Sequence, residues 1–427
     1  MSNKQKLHKE LRMNGFRHVL LLVGWVVSNW GISQAQDFEV LAGPVYGHYT
    51  DSTRQFWMAV APHQQQVPYG EWVSSLNADL FEYFQVHENI QVEQVTRSQL
   101  VLDRYVLIQG IVQHIPPPKE HHNLTFLVGS CAFPYPFMFW RAGDKELIFD
   151  VMTEHEKDFM IWMGDNVYYL NGEWRKKQKM HQKNLRMRFN TKLDKFLKSC
   201  SQYAIWDDHD FGGNNAHSQH RNKYASLDIF NQYWNNPYAG LDTTPGVFCH
   251  FSQEDAEFFL LDARFHANDT SMLGASQTQW LFEQLKASQA NFKFIVSGTQ
   301  ILPNNPTGED MGDFGEDREK LLSFLEEEGI TGVIFLSGDR HYGELMKLER
   351  ARTYPLYEMT SSPLTSLVNP AYTRKNPLRE PETLAVVANF GKVELMGEGK
   401  ERFCRLALFD KTGQLLWSED IALMDLQ

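Results

Sequence analysis

The stretch "AIWDDHDFGGNNA", residues 204–216, joins an apolar run to a dense group of charges. Residues 204–206 are apolar, and residues 207–210 place three carboxylates around one histidine. Carboxylates this close together repel one another unless a positive charge lies among them. The stretch therefore predicts a buried strand that ends in a tight turn and delivers ligands to a metal ion.

Several further apolar runs are interpreted as strands, and most of them also end in residues that titrate or bind metals. They are "TFLVGSC" (125–131), "DFMIWMGDN" (158–166), "EFFLLDAR" (257–264), "FKFIVSGT" (292–299) and "GVIFLSGDRH" (332–341). Helical patterns lie between these runs, which is typical of an α/β or mixed αβ domain. Ligands bind beyond the carboxyl ends of the strands in open α/β sheets, so we expect these polar ends to meet at one edge.

Residues 37–115 differ from the rest of the chain, because short runs rich in Val, Ile and aromatic residues alternate there with polar turns. This pattern predicts a small all-β, sandwich-like domain. The prolines of "IPPPKEHH" (115–122) indicate a linker, since consecutive prolines hold a chain extended. The predicted organisation is a signal peptide at 1–35, a β-rich domain at 36–118 and a second domain at 119–427.

The N-terminus has the three parts of a secretory signal peptide. A basic segment precedes the apolar run "VLLLVGWVV" (19–27), and the small residues of 33–35 fit cleavage after Ala35. The run is too short for a comfortable transmembrane span, so we expect no transmembrane helix in the mature chain. We expect export to the periplasm or the extracellular space, with an uncleaved interfacial anchor as the alternative.

Composition and charge narrow the possible partners. The formal net charge of −12 over 427 residues argues against a nucleic-acid-binding surface.

The four cysteines are an even number, which invites disulfides in an exported protein. The segment 173–188 is rich in Lys and Arg although the chain is acidic. It is interpreted as a funnel for anionic substrates, as a contact for lipid headgroups, or as a solvated helix face.

Each candidate ligand also has a simpler structural interpretation. The Asp of a "GD" pair can cap a helix, Cys131 can be a buried apolar residue, and Asp262 with Arg264 can form an ion pair. Together, however, the strand ends supply carboxylates, an imidazole, a phenol, an amide and a thiol. Carboxylate and amide oxygens suit Ca²⁺, Mg²⁺ or Mn²⁺, whereas thiolate, phenolate and imidazole suit iron or zinc. The set predicts two or more metal ions, which can activate water and clamp a phosphoryl group.

Five motifs in this order resemble the alkaline phosphatase D (PhoD-like) family of metallophosphatases. They are "GSC" (129–131), "GDNVYY" (164–169), "AIWDDHDFGGNNA" (204–216), "LLDARF" (260–265) and "LSGDRHYGEL" (336–345). The resemblance covers most of residues 123–345, and the β-rich region before it is similar to the small N-terminal domain common in that family. It implies an α/β (α+β) calcineurin-like core, with two β-sheets flanked by helices and metals at the sheet edges.

The resemblance also implies roles for individual residues. Iron would be held by Cys131, Asp165 and Tyr168, other metals by Asp208, Asn214 and Asp339, and His341 would be a further ligand. Asn215 is the alternative to Asn214, because family members often carry Asp at its position. His209 would be the acid that faces the leaving group, and Asp210 would orient it. The role of Asp207 stays open.

A function follows from the residues and the resemblance together. We expect an exported phosphoesterase that hydrolyses phosphomonoesters or phosphodiesters with metal-activated water, using Fe³⁺ with Ca²⁺, or Mn²⁺, Zn²⁺ or Mg²⁺. Arg264 is the candidate cationic contact for phosphate, since its fork matches phosphate geometry. The substrate class stays open between a small molecule, a phospholipid and an envelope polymer, and the sequence does not predict an oligomeric state. The alternatives are a non-haem iron redox enzyme and a catalytically silent envelope binding protein.

Overall fold

The computed structural model describes most of the chain from residue 38 onward. The described residues are 38–62, 72, 76, 79–85, 90–100, 105–113, 123–133, 147–304, 310–369 and 376–427. The predicted signal peptide and the predicted linker lie outside them. The described residues divide into two compact units, one within 40–60 and 93–427 and the other within 38–39 and 61–92. The predicted domain boundary at residue 118 stays a prediction.

Strands and helices alternate through the middle of the chain, as the sequence predicts. The strands are β1 (Phe38–Tyr49), β2 (Thr53–Pro62), β3 (Val92–Leu100), β4 (Val106–Gln113), β5 (Leu124–Gly129), β6 (Phe159–Met163), β7 (Ser201–Ile205), β8 (Cys249–Gln253), β9 (Ala256–Leu260), β10 (Phe292–Ser297), β11 (Val333–Ser337), β12 (Glu344–Leu348), β13 (Leu356–Thr360), β14 (Asn389–Met396), β15 (Phe403–Asp410) and β16 (Leu415–Ala422). The helices are α1 (Leu147–Glu154), α2 (Lys177–Arg188), α3 (Thr191–Leu197), α4 (Asp208–Phe211), α5 (Lys223–Tyr233), α6 (Ala275–Ala287) and α7 (Gly315–Glu327).

The N-terminal strands form a four-stranded sheet in the order β1-β2-β4-β3. Strands β2 and β4 are antiparallel, with Phe56 opposite Gly110. A side chain at Gly110 would overlap the ring of Phe56, since an added Cβ would lie 2.6 Å from it. The prediction of a β-rich region before the larger α/β part is therefore confirmed, although residues 79–85 of that region are helical.

Two six-stranded sheets form the remainder, in the orders β16-β15-β14-β5-β6-β7 and β12-β13-β11-β10-β9-β8. Strands β5, β6 and β7 run parallel in the first sheet. Strands β9, β10, β11 and β13 run parallel in the second. Antiparallel strands extend both sheets outward from these parallel centres. The residues of the parallel strands are almost all buried, as expected for strands covered on both faces.

Aromatic rings join the two sheets face to face. Phe126 on β5 lies 5.1 Å from Phe258 on β9 and 5.2 Å from Phe294 on β10, measured between ring centroids. Phe159 on β6 lies 5.3 Å from Phe258. These edge-to-face contacts add to the burial energy of large side chains. Helices cover the outer faces; α1, for example, packs Phe149 against Trp162 of β6. The predicted core of two sheets flanked by helices is confirmed.

The four cysteines are all within the described residues, and all are free and buried. The expectation of disulfides is therefore wrong. Cys200, Cys249 and Cys404 lie in or beside strands of the packed core, where a cysteine behaves as a small apolar residue. No helix among the described residues has the length and apolar character needed to cross a membrane.

The basic segment 173–188 is only partly a solvated surface. Arg188 is buried, and its guanidinium lies over the rings of Trp57, Tyr233 and Trp234 at 4.7–5.2 Å from their centroids. Lys183 is also buried and forms an ion pair of 3.1 Å with Glu173. Part of the positive charge therefore stabilises the packing of α2, because a guanidinium is attracted to aromatic faces.

Candidate metal centre

Four loops place an acidic or thiol side chain at the same distance beyond the strand they follow. Strands β5, β6 and β7 end at 129, 163 and 205, and β11 ends at 337. The second residue after each strand is Cys131, Asp165, Asp207 and Asp339, in that order. Three of these loops come from one sheet and the fourth from the other. The predicted meeting of strand ends is therefore a meeting of two sheets rather than one edge of a single sheet.

Groups of ligand atoms within 4.8 Å of one another lie in this region. They are Cys131 with Asp165 and His341, Asp165 with Asp208 and His209, and Asp207 with Asp208 and Asp339. Asp165 and Asp208 each belong to two of the groups. A carboxylate shared in this way can bridge two cations, as in centres where paired metals lie about 4 Å apart.

The first group contains the thiol and the phenol. The Sγ of Cys131 lies 3.6 Å from Oδ2 of Asp165, and the hydroxyl of Tyr168 donates to the same oxygen at 2.9 Å. The Tyr168 hydroxyl also lies 3.2 Å from Nε2 of His341. Nδ1 of His341 bonds the carbonyl of Leu367, which leaves Nε2 to face the group. A histidine held by one nitrogen in this way offers the other as a metal ligand.

The third group consists of carboxylates alone, and it shares Asp208 with the second group. Oδ2 of Asp208 accepts a hydrogen bond of 2.5 Å from the backbone N–H of Asn215. Oδ1 of Asp208 and Oδ2 of Asp207 are buried and accept no hydrogen bond from the described residues. Buried acceptors without a donor cost free energy, so these two atoms call for a cation. With the thiol, phenol and imidazole beside them, the donor set fits the predicted metal ions.

Among the described residues, Arg264 is a cation that bonds directly to these carboxylates. Its Nε donates to Oδ1 of Asp207, and Asp207 is fully buried. Asp262, two residues earlier, accepts instead from Trp206 at 2.8 Å and from the backbone of 264 and 265. The predicted alternative of an Asp262–Arg264 ion pair is therefore wrong, and the open role of Asp207 includes holding Arg264.

His209 belongs to the second group, with Asp165 and Asp208. Its backbone N–H donates to Oδ1 of Asp165 at 3.2 Å. Its ring packs against the ring of Tyr168, with 4.3 Å between the centroids. The imidazole is thereby fixed next to the carboxylates, where it can exchange a proton with a bound molecule.

Asp210 ties two loops together. Its Oδ2 accepts from the backbone and side-chain amides of Asn166 at 3.0 and 2.7 Å, and its Oδ1 accepts from the backbone of Asp207 at 2.6 Å. These bonds hold the loop after β6 against the start of α4. They explain why Asp210 follows Asp207 at a spacing of three, as in a capping box. Its predicted role in orienting His209 stays a prediction.

Asn214 and Asn215 are both exposed, and the side chain of Asn214 donates to that of Asn215 at 3.0 Å. Asn215 contacts the centre through its backbone N–H, which bonds Asp208. The sequence prediction of an amide ligand from one of the two stays a prediction.

The backbone at the centre is strained. Cys131, Asp165, Asp339 and His341 all have φ between 54 and 63°. Non-glycine residues rarely adopt this left-handed region, and such residues cluster at functional sites. Gly164, with φ of 85°, permits close approach of the loops, since a Cβ there would lie 2.6 Å from that of Asp207. The glycines of the "GD" motifs are thus required by the convergence of the loops.

Burial and mutual repulsion perturb the protonation of the centre. Burial, and then the carboxylates of Asp208 and Asp207, raise the pKa of Asp165 well above its ordinary value. Burial and Asp165 likewise raise the pKa of the Cys131 thiol and of the Tyr168 phenol. For Asp208, burial is outweighed by Arg264 and His209, so its pKa is lowered. The centre therefore resists full ionisation until additional positive charge enters it.

A support loop of the centre was not predicted from the sequence. Residues 361–367 follow β13, and the Ser362 hydroxyl accepts from the His341 backbone at 2.9 Å. The carbonyl of Leu367 holds the His341 ring. A carbonyl has no sequence signal, because every residue carries one.

The raised pKa of Asp165 predicts how metal stabilisation depends on pH. A carboxyl whose pKa is raised in the folded state stabilises the fold at pH values below its pKa in the unfolded state. That contribution is lost as the pH rises through its pKa in the folded state. Metal-free protein should therefore lose stability at this site from about pH 4 upward, whereas bound cations neutralise the carboxylates. Thermal unfolding at several pH values should show that the gain in Tm on adding metal grows between pH 5 and 8. A constant gain would contradict the assignment.

Comparison with solved structures defines the class of fold. The solved structure of PhoD superposes with a TM-score of 0.61 at 13% identity, covering 88% of this chain and 92% of that one. A purple acid phosphatase, PPD1, from yellow lupin (Lupinus luteus) seeds gives 0.58 at 9% identity, covering 90% and 75%. The protein thus shares the mixed α/β fold of these two structures, with sheets flanked by helices.

Comparison of sequences identifies similar proteins. Residues 251–401 match the family model of the PhoD-like phosphatases, and this region includes Arg264, Asp339 and His341. Alkaline phosphatase D of Bacillus subtilis (strain 168) is 21% identical over 290 residues, 54% of this chain and 48% of that protein. The chain thus matches about half of the length of this curated relative. The predicted resemblance to the PhoD-like phosphatases is confirmed.

Proposed function

We propose that this protein is a metal-dependent phosphoesterase. The observation that carries the proposal is the buried pair of unsatisfied oxygens on Asp207 and Asp208, which face ligand groups from both sheets. The match to the PhoD-like phosphatase model and the superposition on phosphatase structures support the same reaction.

The two ends of the centre differ in chemistry, which supports two kinds of metal. Cys131, Tyr168 and His341 provide sulfur, phenol and imidazole donors, which suit iron or zinc. Asp208 and Asp339 provide oxygen alone, which suits Ca²⁺, Mg²⁺ or Mn²⁺. We propose Fe³⁺ at the end that contains Cys131 and Ca²⁺ at the end that contains Asp208, with Asp165 between the two metals.

Metal ions bound here would polarise a phosphoryl group and lower the pKa of water. The residues of the chain supply the remaining functions. Arg264, held by Asp207, would contact the phosphoryl oxygens and offset their charge. His209, fixed by Asp165 and Tyr168, would give a proton to the departing alcohol. Burial of Asp165 and Asp208 removes competing water, so these interactions act in a low-dielectric environment.

We also propose that the protein is exported. The support is the sequence pattern of residues 1–35, with a basic start, an apolar run and small residues before Gln36. Cleavage after Ala35 would leave Gln36 as the N-terminal residue of the mature protein.

Metal analysis combined with hydrolysis of chromogenic esters tests the proposed reaction. Purified protein should contain metal and hydrolyse p-nitrophenyl phosphate or bis(p-nitrophenyl) phosphate, and a chelator should abolish the turnover. If iron is bound by Tyr168, the visible spectrum should show a tyrosinate-to-iron band that Tyr168→Phe lacks. A folded, metal-supplemented protein without turnover of either ester would overturn the proposal and favour a binding role.

A further inference from the structure

A cavity of about 430 Å³ opens beside the metal centre. Two of its wall residues also contact the centre: Asn215 donates to Asp208, and Arg264 donates to Asp207. The cavity is therefore next to the place where a phosphoryl group would be held. A pocket in this position can hold the alcohol part of a phosphate ester.

Part of the cavity wall is acidic. Asp269 and Asp313 both line the cavity, and neither forms an ion pair with a described residue. Asp313 accepts only a long hydrogen bond of 3.3 Å, from the backbone of Asp310. The two aspartates belong to different segments, one after β9 and the other before α7, so their shared position results from the fold.

Two further wall residues indicate what this space can bind. Nδ1 of His217 is buried and has no hydrogen-bond partner among the described residues. The ring of Phe314 lines the same cavity. A buried ring nitrogen without a partner needs a polar group on a bound molecule, and an aromatic face attracts a cation. Carboxylates, an imidazole and an aromatic ring together suit an ammonium group.

We infer that this cavity selects phosphate esters whose alcohol carries a positive charge, such as an amino alcohol. The inference rests on the proposed phosphoesterase function and adds its substrate class. In the reaction, water adds across the bond between phosphorus and the alcohol oxygen, and the alcohol departs with a proton. The phosphoryl group lies at the metals and Arg264, and the ammonium group lies between Asp269 and Asp313. An alcohol carrying a carboxylate is repelled by the same two residues.

Two small esters of opposite charge test the inference. O-phosphoethanolamine and 2-phosphoglycolate are similar in size, but one ends in an ammonium and the other in a carboxylate. We expect the kcat/KM of metal-loaded protein to be at least about tenfold higher for O-phosphoethanolamine than for 2-phosphoglycolate. Two nearby carboxylates would attract the ammonium and repel the carboxylate by enough to give this difference. The double variant Asp269→Asn/Asp313→Asn should lower this ratio by about tenfold. Asp425→Asn removes an exposed carboxylate outside the cavity and should leave the ratio unchanged.

The outcomes separate this inference from the proposed function. Turnover of both esters at similar efficiency, or a ratio that the double variant does not change, would overturn the cavity assignment but not the phosphoesterase. If no ester is hydrolysed, calorimetric titration with ethanolamine still tests the cavity. Binding that is lost in the double variant supports the inference, and equal or absent binding in both proteins overturns it.

Discussion

Asp165→Asn should abolish turnover while the protein stays folded. Asp165 belongs to two of the ligand groups, and its oxygens contact Cys131, Tyr168 and the backbone of His209. An amide removes the negative charge that two cations would share, and loss of several kcal/mol of transition-state stabilisation lowers kcat by about 10³-fold or more. Steady-state hydrolysis of p-nitrophenyl phosphate and metal content measure the effect.

The fold of this variant should be retained in the absence of metal. Asp165 is buried among like charges that raise its pKa, so an uncharged isostere relieves repulsion. The Tm of metal-free Asp165→Asn at pH 7 should equal or exceed that of the metal-free parent. Asp425→Asn is the matched control and should change neither turnover nor Tm. Full activity in Asp165→Asn would show that the centre is assigned wrongly.

Arg264→Met should lower the stability of the metal-free protein by about 3 kcal/mol at pH 7, because removing one partner of a buried ion pair leaves the other charge uncompensated. Asp207 is fully buried and Arg264 is its ion-pair partner. Burial already raises the pKa of Asp207, and Arg264 acts against that rise. Without Arg264 the carboxyl should protonate more readily, so the loss of stability should shrink as the pH falls. Denaturant unfolding at pH 5 and pH 7 measures both effects.

A double-mutant cycle isolates the pair. Asp207→Asn in the Arg264→Met background should recover much of the lost stability, since no buried charge then lacks a partner. If the two substitutions are simply additive in metal-free protein, the Asp207–Arg264 pair does not stabilise the fold. Activity is expected to stay low in all three variants, because both residues adjoin the place proposed for the phosphoryl group.

Much of the centre could be predicted from local sequence. Apolar runs that stop at "GSC", "GDN", "DDHD" and "GDRH" were recognisable as strands followed by ligands, and the structure brings Cys131, Asp165, Asp208 and Asp339 together. Gly329 follows the end of α7 with φ of 61°, a conformation that glycine commonly supplies at the end of a helix. These features depend on side-chain type and on spacing of a few residues, which the chain itself carries.

Other parts of the centre depend on contacts between distant segments. The interpretation of a single sheet edge was wrong because strand periodicity does not say which strands pair, and β11 belongs to a different sheet from β5, β6 and β7. The sequence likewise did not predict that Arg264 pairs with Asp207 rather than with Asp262. Asp262 is nearer in sequence, but its two oxygens are already occupied by Trp206 and three backbone amides.

The sequence by itself determined the strands, the ligand types at their ends and the excess of negative charge that requires a cation. Only the tertiary structure decided which charges share space, because burial and distance are properties of packing and not of spacing along the chain. The three acids of "AIWDDHDFGGNNA" have different roles in the tertiary structure. Asp207 pairs with Arg264, and Asp208 belongs to two ligand groups. Asp210 holds the loop after β6 against the start of α4. The residues are adjacent in sequence, and their different roles result from what the two sheets bring next to each one.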